Sequence, residues 1–213
     1  MGRGRFITFE GGEGAGKSTQ VKLLADALAK RGLEVVITRE PGGAPTAELI
    51  RKLLVEGEAG RWDPVTEALL HTAQRREHLV RTVWPALERG AWVVSDRFAD
   101  STLAYQGAGQ GVTPAQLDLL YRLVAGDFQP DLTLVLDLPV EEGLKRAAGR
   151  GGQEDRYERM GMAFHERIRA AFAAIAQRYP ERCVMVSALG SPAEVHAAIL
   201  AAADSKLGTR GLA

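Results

Sequence analysis

The chain has 213 residues, 46% of them hydrophobic, and its 27 lysines and arginines balance 27 aspartates and glutamates. That size and apolar content suffice for a sizeable core, and one domain over residues 1–204 followed by a flexible tail over 205–213 is expected. Zero net charge leaves no footprint for a nucleic-acid polymer, and no apolar run reaches the 18 residues of a membrane span; the lone Cys183, in an apolar stretch, reads as a buried strand thiol of a cytoplasmic protein.

Short apolar runs alternate with helical patterns, which predicts an α/β fold with a parallel sheet of five strands between layers of helices. The first strand, 5–10, breaks into Gly11-Gly12-Glu13-Gly14-Ala15-Gly16-Lys17-Ser18, which fills the pattern G-x-x-x-x-G-K-[ST]. The glycines let backbone N–H groups approach phosphate oxygens closely. A helix over 17–31, which includes Thr19, points its N-terminal dipole at the anion, Lys17 reaches the outer phosphates and Ser18 ligates Mg²⁺. A nucleoside triphosphate is the expected ligand. A second strand, 33–38, ends in Arg39-Glu40-Pro41-Gly42-Gly43, where Arg39 is a phosphate candidate. Helices over 44–57 and 63–89 lead to strand 92–95 and to Asp96-Arg97-Phe98. Ligands of open α/β sheets bind at the carboxyl ends of strands. Asp96 is therefore placed to hold Mg²⁺ through water or to orient the attacking group, and Arg97 to fork a second phosphate. The following run, 100–107, is rich in groups that read a base or sugar edge, among them Ser101, Thr102, Tyr105 and Gln106. Helix 113–126, strand 132–137, helix 139–148, a Gly-rich loop, helix 158–178, strand 183–187 and helix 191–203 complete the pattern. Asp137, closing the fourth strand, is a competing carboxylate or a helix cap. The four histidines and one cysteine show no metal-ligand spacing.

Together these motifs resemble the bacterial thymidylate kinase family over nearly the whole chain: FEGGEGAGKSTQ at 9–20, TREPGG at 38–43, DRFADSTLAYQG at 96–107, GDFQPDLTLVLDLP at 126–139 and DRYE at 155–158, in family order and spacing. The resemblance implies the three-layer P-loop kinase fold, a homodimer, and transfer of the γ-phosphate of ATP to dTMP with Mg²⁺, giving dTDP and ADP for dTTP synthesis. It puts Gly11, Gly12, Glu13, Gly14, Ala15, Gly16, Lys17, Ser18 and Thr19 on ATP, with Ser18 and Asp96 on the metal. Glu13 also faces the acceptor, near its sugar. Arg39 and Arg97 resemble the dTMP-phosphate contacts and Arg75 the arginine facing a thymine carbonyl. Thr102 and Tyr105, with Ser101 and Gln106 beside them, match the base and sugar contacts, Tyr105 standing against a ribose 2′-OH. Where the family usually has a phenylalanine stacking on thymine, this chain has His71. The phosphate cup lacks an arginine, and the resemblance is to the subtype whose lid, at about 146–157, supplies one. Of Arg146, Arg150 and Arg156, the glycine-flanked Arg150 is expected to join Lys17, Arg97 and Asp96 in catalysis. A kinase for another base is the alternative if His71 has re-cut the pocket. A nucleotide-dependent switch is disfavoured by the lack of an Asn-Lys-x-Asp guanine-reading motif.

Overall fold

The computed structural model describes residues 3–58, 60–148, 156–157 and 159–208. Its centre is a five-stranded parallel sheet in the order β2-β3-β1-β4-β5, with β1 at Phe6–Gly11, β2 at Val35–Arg39, β3 at Trp92–Asp96, β4 at Leu132–Asp137 and β5 at Cys183–Ser187. The helices are α1 (Lys17–Lys30), α2 (Pro45–Val55), α3 (Pro64–His78), α4 (Trp84–Glu88), α5 (Ala99–Thr102), α6 (Pro114–Ala125), α7 (Val140–Ala148), α8 (Met162–Arg178) and α9 (Pro192–Leu207), with π-helical segments at Leu79–Val83 and Leu103–Gly109.

Alternation along β1 divides the core. Ile7 and Phe9 face one side, where Leu24 and Leu28 of α1 and Ile199 of α9 cover Val94, Leu134 and Leu136. Phe6 faces the other, against Leu79, Val83, Val93 and Phe98. Each fully buried leucine or phenylalanine contributes about 1.5–3 kcal/mol. The register aligns Phe9 and Arg39 with Asp96. The loop after β1, the end of β2 and the end of β3 therefore open together at the carboxyl end of the sheet.

Helix starts follow their sequence signals. Asp63 accepts from the N–H groups of Val65 and Thr66, and Thr113 with Gln116 and Ser191 with Glu194 form capping boxes. Four features depart from expectation. The edge strand β2 starts at Val35 and is only partly covered, with Ile37 half-exposed. The single helix expected over 63–89 passes through a π segment, because Pro85 lacks the N–H needed to continue the α-helical pattern. The run after Arg97 is helical, as α5 and a second π segment. Ser205–Leu207 belong to α9 rather than to a tail: Gly208 caps the helix in the left-handed region and Lys206 Nζ donates to Pro180 O at 2.8 Å. Most of the expected lid, including Arg150, lies outside the described residues.

Candidate active site

The loop from Gly11 to Ser18 folds as a phosphate cup. Gly14 has φ +69°, and a methyl group there would sit 1.9 Å from Gly143 O, so only glycine fits between the loop and α7. Gly16, at φ +86°, turns the chain into α1. Lys17 is buried and its Nζ donates to two carbonyls of the loop, Gly11 O at 3.2 Å and Gly12 O at 2.7 Å. Burial, followed by the Arg97 charge, brings its ammonium down to about 8, against the pull of Glu13, Asp96 and Glu10. Ser18 Oγ donates to Asp96 Oδ2 at 2.5 Å, so the two residues expected at the metal are adjacent.

Beside the cup lies a cavity of about 360 Å³. Its wall includes all nine residues expected around the acceptor: Glu13, Arg39, His71, Arg75, Arg97, Ser101, Thr102, Tyr105 and Gln106. Glu13, Gly14, Ala15, Gly16, Lys17, Ser18 and Asp96 also line it, whereas Gly11 and Gly12 sit on a small second cavity behind the loop and Thr19 is exposed and on neither. Arg97 is the hub. Its guanidinium donates to Glu13 Oε1 at 2.9 Å, Tyr105 OH at 3.1 Å, Ser101 Oγ at 3.2 Å and Gly11 O at 3.0 Å. Tyr105 OH donates to the same Glu13 oxygen at 2.7 Å. Burial would raise the Glu13 carboxyl, but Arg97, Lys17 and the Tyr105 hydroxyl outweigh it and hold Glu13 down at about 2. Arg39 is half-exposed and pairs with Glu48 at 3.1 Å. Asp137 is drawn away to Arg169 at 2.7 Å and does not line the large cavity. Cys183 is buried in β5, and desolvation pushes its thiol up to about 12.

Several residues in and behind this wall were not among the expected site residues. Glu40 is buried and accepts from Arg75 Nε at 2.9 Å, while Arg75 Nη2 donates to Thr102 Oγ1 at 2.9 Å; the arginine is thus oriented by a carboxylate and a hydroxyl from two other segments. Glu67, on α3, accepts from Arg156, from Tyr157 OH at 2.9 Å and from Gln106 and Gln110 at 2.8 Å each. Arg51 and Tyr157 are also on the wall. A carboxylate in a helical pattern reads as a solvated side chain, and only the pairing of distant segments shows otherwise.

His71 is buried on this wall, its Nε2 3.0 Å from Tyr157 OH. Burial, then the Arg75 charge, lowers its imidazole to about 4, with Glu67 and Glu40 opposing. A histidine kept neutral in the fold but free to protonate when unfolded costs stability as pH falls through the unfolded value near 6.5, and the loss is complete near 4. His71→Phe is therefore expected to be more acid-resistant than the wild type, by roughly 3 kcal/mol at pH 4 compared with pH 7. Denaturant unfolding of both proteins across that range reads the difference, which cancels the opposite slope expected from Glu10, pushed up to about 8 by burial and Asp100. Parallel curves would show that His71 is solvated in the fold.

A parallel sheet whose first strand feeds a G-x-x-x-x-G-K-S cup, with arginines from β2, α3 and the turn after β3 converging beside it, defines a P-loop phosphotransferase of the nucleoside monophosphate kinase type. The thymidylate kinase family model matches residues 9–199. The chain is 54% identical over 208 residues to the thymidylate kinase of Caulobacter vibrioides, covering 98% of this chain and 100% of that one. It is 50% identical over 207 residues to the thymidylate kinase of Alkalilimnicola ehrlichii, covering 97% and 94%. The crystal structure of thymidylate kinase from Ehrlichia chaffeensis superposes with a TM-score of 0.76 at 36% identity, over 94% of this chain and 98% of that one. The chain belongs to the thymidylate kinase family.

Proposed function

We propose that the protein transfers the γ-phosphate of ATP to dTMP, giving dTDP and ADP, in the supply of dTTP. The observation that carries this reading is the shared wall: the phosphate cup and the Arg97–Glu13–Tyr105 cluster open into one cavity, so a donor phosphate on Lys17 and an acceptor phosphate on Arg97 meet there. Little covalent chemistry is needed, because the acceptor phosphate is already an anionic nucleophile, and catalysis is positioning and charge stabilisation. Lys17 leaves its two carbonyl partners for the outer phosphates of ATP. Arg97 and Arg39 hold the acceptor phosphate, Arg75 faces the base, His71 stacks on it as a neutral ring, and Tyr105 closes the space beside the sugar.

Ser18 Oγ and Asp96 Oδ2 form an oxygen-only donor pair at the mouth of the cup, which suits Mg²⁺ held mostly by phosphates and water. Bound there, the ion would supply positive charge against that developing in the reaction. Of the lid arginines, Arg156 is buried against Glu67 and Arg146 is held by Glu142 at 2.8 Å and Ala188 O at 3.3 Å, which supports Arg150 as the one that closes on the transferred group. Among the described residues no helix is long and apolar enough to cross a membrane. We read the protein as cytoplasmic. We read it also as a homodimer, supported by the packing of α3 on α6 with Leu69, Leu119 and Leu123 left exposed.

A coupled assay over dTMP, dUMP, dCMP, AMP and GMP tests the reading. dTMP is expected to have the highest kcat/KM, and a preference for any other acceptor would overturn it.

A further inference from the structure

Glu10 is the fifth of the six residues of β1, a strand buried along its whole length, and its side chain is fully out of solvent. Burying a carboxyl is costly unless its oxygens are hydrogen-bonded, so a position that needed only packing would carry an apolar residue. What the carboxyl meets is the turn after β3. Oε1 accepts from the N–H of Phe98 at 2.8 Å and of Ser101 at 3.3 Å, and Oε2 accepts from Ser101 Oγ at 2.6 Å. α5 begins at this turn with no side-chain cap from its N-cap residue, Phe98, and the strand supplies one instead.

Inside the same turn Arg97 stands at φ +71°, the one non-glycine residue with positive φ among the described residues. A side chain disfavours that region, and such a conformation persists only where its surroundings over-determine it. Here both sides are fixed. The Arg97 N–H donates to Phe9 O at 2.8 Å, and its carbonyl accepts from Ser95 Oγ at 2.8 Å. The next residue, Phe98, is the one that Glu10 grips.

We propose that Glu10 is a positioning residue for the acceptor phosphate: by pinning the backbone of Phe98 and Ser101 it keeps Arg97 in the left-handed conformation that carries its guanidinium into the cavity. This rests on the reading of that cavity as the dTMP site. Burial and Asp100 favour the protonated carboxyl, but in either state Oε1 keeps lone pairs for both N–H groups, and a glutamine would supply the same acceptor.

The test compares Glu10→Met, which keeps the length and removes both acceptors, Glu10→Ala, which leaves room for water, and Glu10→Gln. Calorimetric titration with dTMP and steady-state KM values for each substrate are the readouts. Glu10→Met and Glu10→Ala are expected to weaken dTMP about tenfold or more while the KM for ATP stays within about twofold, and Glu10→Gln to bind dTMP within about threefold of wild type. Unchanged dTMP binding in either acceptor-free variant would overturn the proposal, as would equal weakening toward both substrates, the mark of general loosening. A wild type that phosphorylates no monophosphate would defeat the functional reading instead. The crystal structure of Glu10→Ala then decides for Glu10 alone: Arg97 relaxed to negative φ supports the role, and Arg97 unmoved overturns it.

Discussion

Lys17→Ala should lower kcat by about a thousandfold or more, some 4 kcal/mol of transition-state stabilisation, while the protein stays folded. The reason lies in what the ammonium does without substrate. It is buried, its proton affinity is depressed by desolvation and by Arg97, and its partners are two loop carbonyls that water could serve as well. A lysine kept in such a place adds little to the fold. With ATP bound it becomes a buried cation facing charge that spreads over the phosphoryl oxygens. Coupled kinetics alongside thermal melts check both halves. Turnover near wild type would remove Lys17 from the mechanism, and a melting temperature lowered by more than about 5 °C would mean that the loop depends on it for structure.

Glu67→Ala is expected to cost about 3–5 kcal/mol of stability and to lower the melting temperature by roughly 10 °C. Glu67 and Arg156 are both fully buried, and each is the charge partner of the other. Removing the carboxylate strands a guanidinium left with the carbonyls of Leu54 at 2.9 Å and Glu58 at 3.1 Å and the Tyr157 ring, none of which carries a charge to balance it. It also frees Gln106, Gln110 and Tyr157, two of which line the acceptor cavity, so acceptor affinity should fall together with stability. A drop of less than about 2 °C would show that water reaches Arg156.

The phosphate cup, the five strands and the capped helices were legible because each rests on a local rule: glycines at fixed offsets, apolar runs of strand length, Ser or Thr three residues before Glu or Gln. The expected acceptor residues all reach one cavity: most came in motif words that keep their spacing, and His71 and Arg75 came from the resemblance alone. What was not legible depends on distance. Glu10, Glu40 and Glu67 are buried carboxylates whose partners lie 91, 35 and 89 residues away. Glu10 and Glu40 sit inside motif words, yet nothing local to any of the three tells which distant group its carboxylate meets. The π segments escaped for another reason. A helix that absorbs one extra residue per turn keeps an apolar stripe, so periodicity reads it as an ordinary helix.

The strand order carries a consequence for how the molecule is made. β1 and β2 never pair with each other; β3 lies between them, and it starts at Trp92. A nascent chain that has emerged only through α4 holds two apolar strands with no partner for either, and the cup at the end of β1 has no sheet beside it. Pairing across such separations is slow, and strands left open meanwhile are exposed to other chains. The first ninety residues contain the phosphate loop, yet as a fragment they are expected to aggregate rather than bind nucleotide.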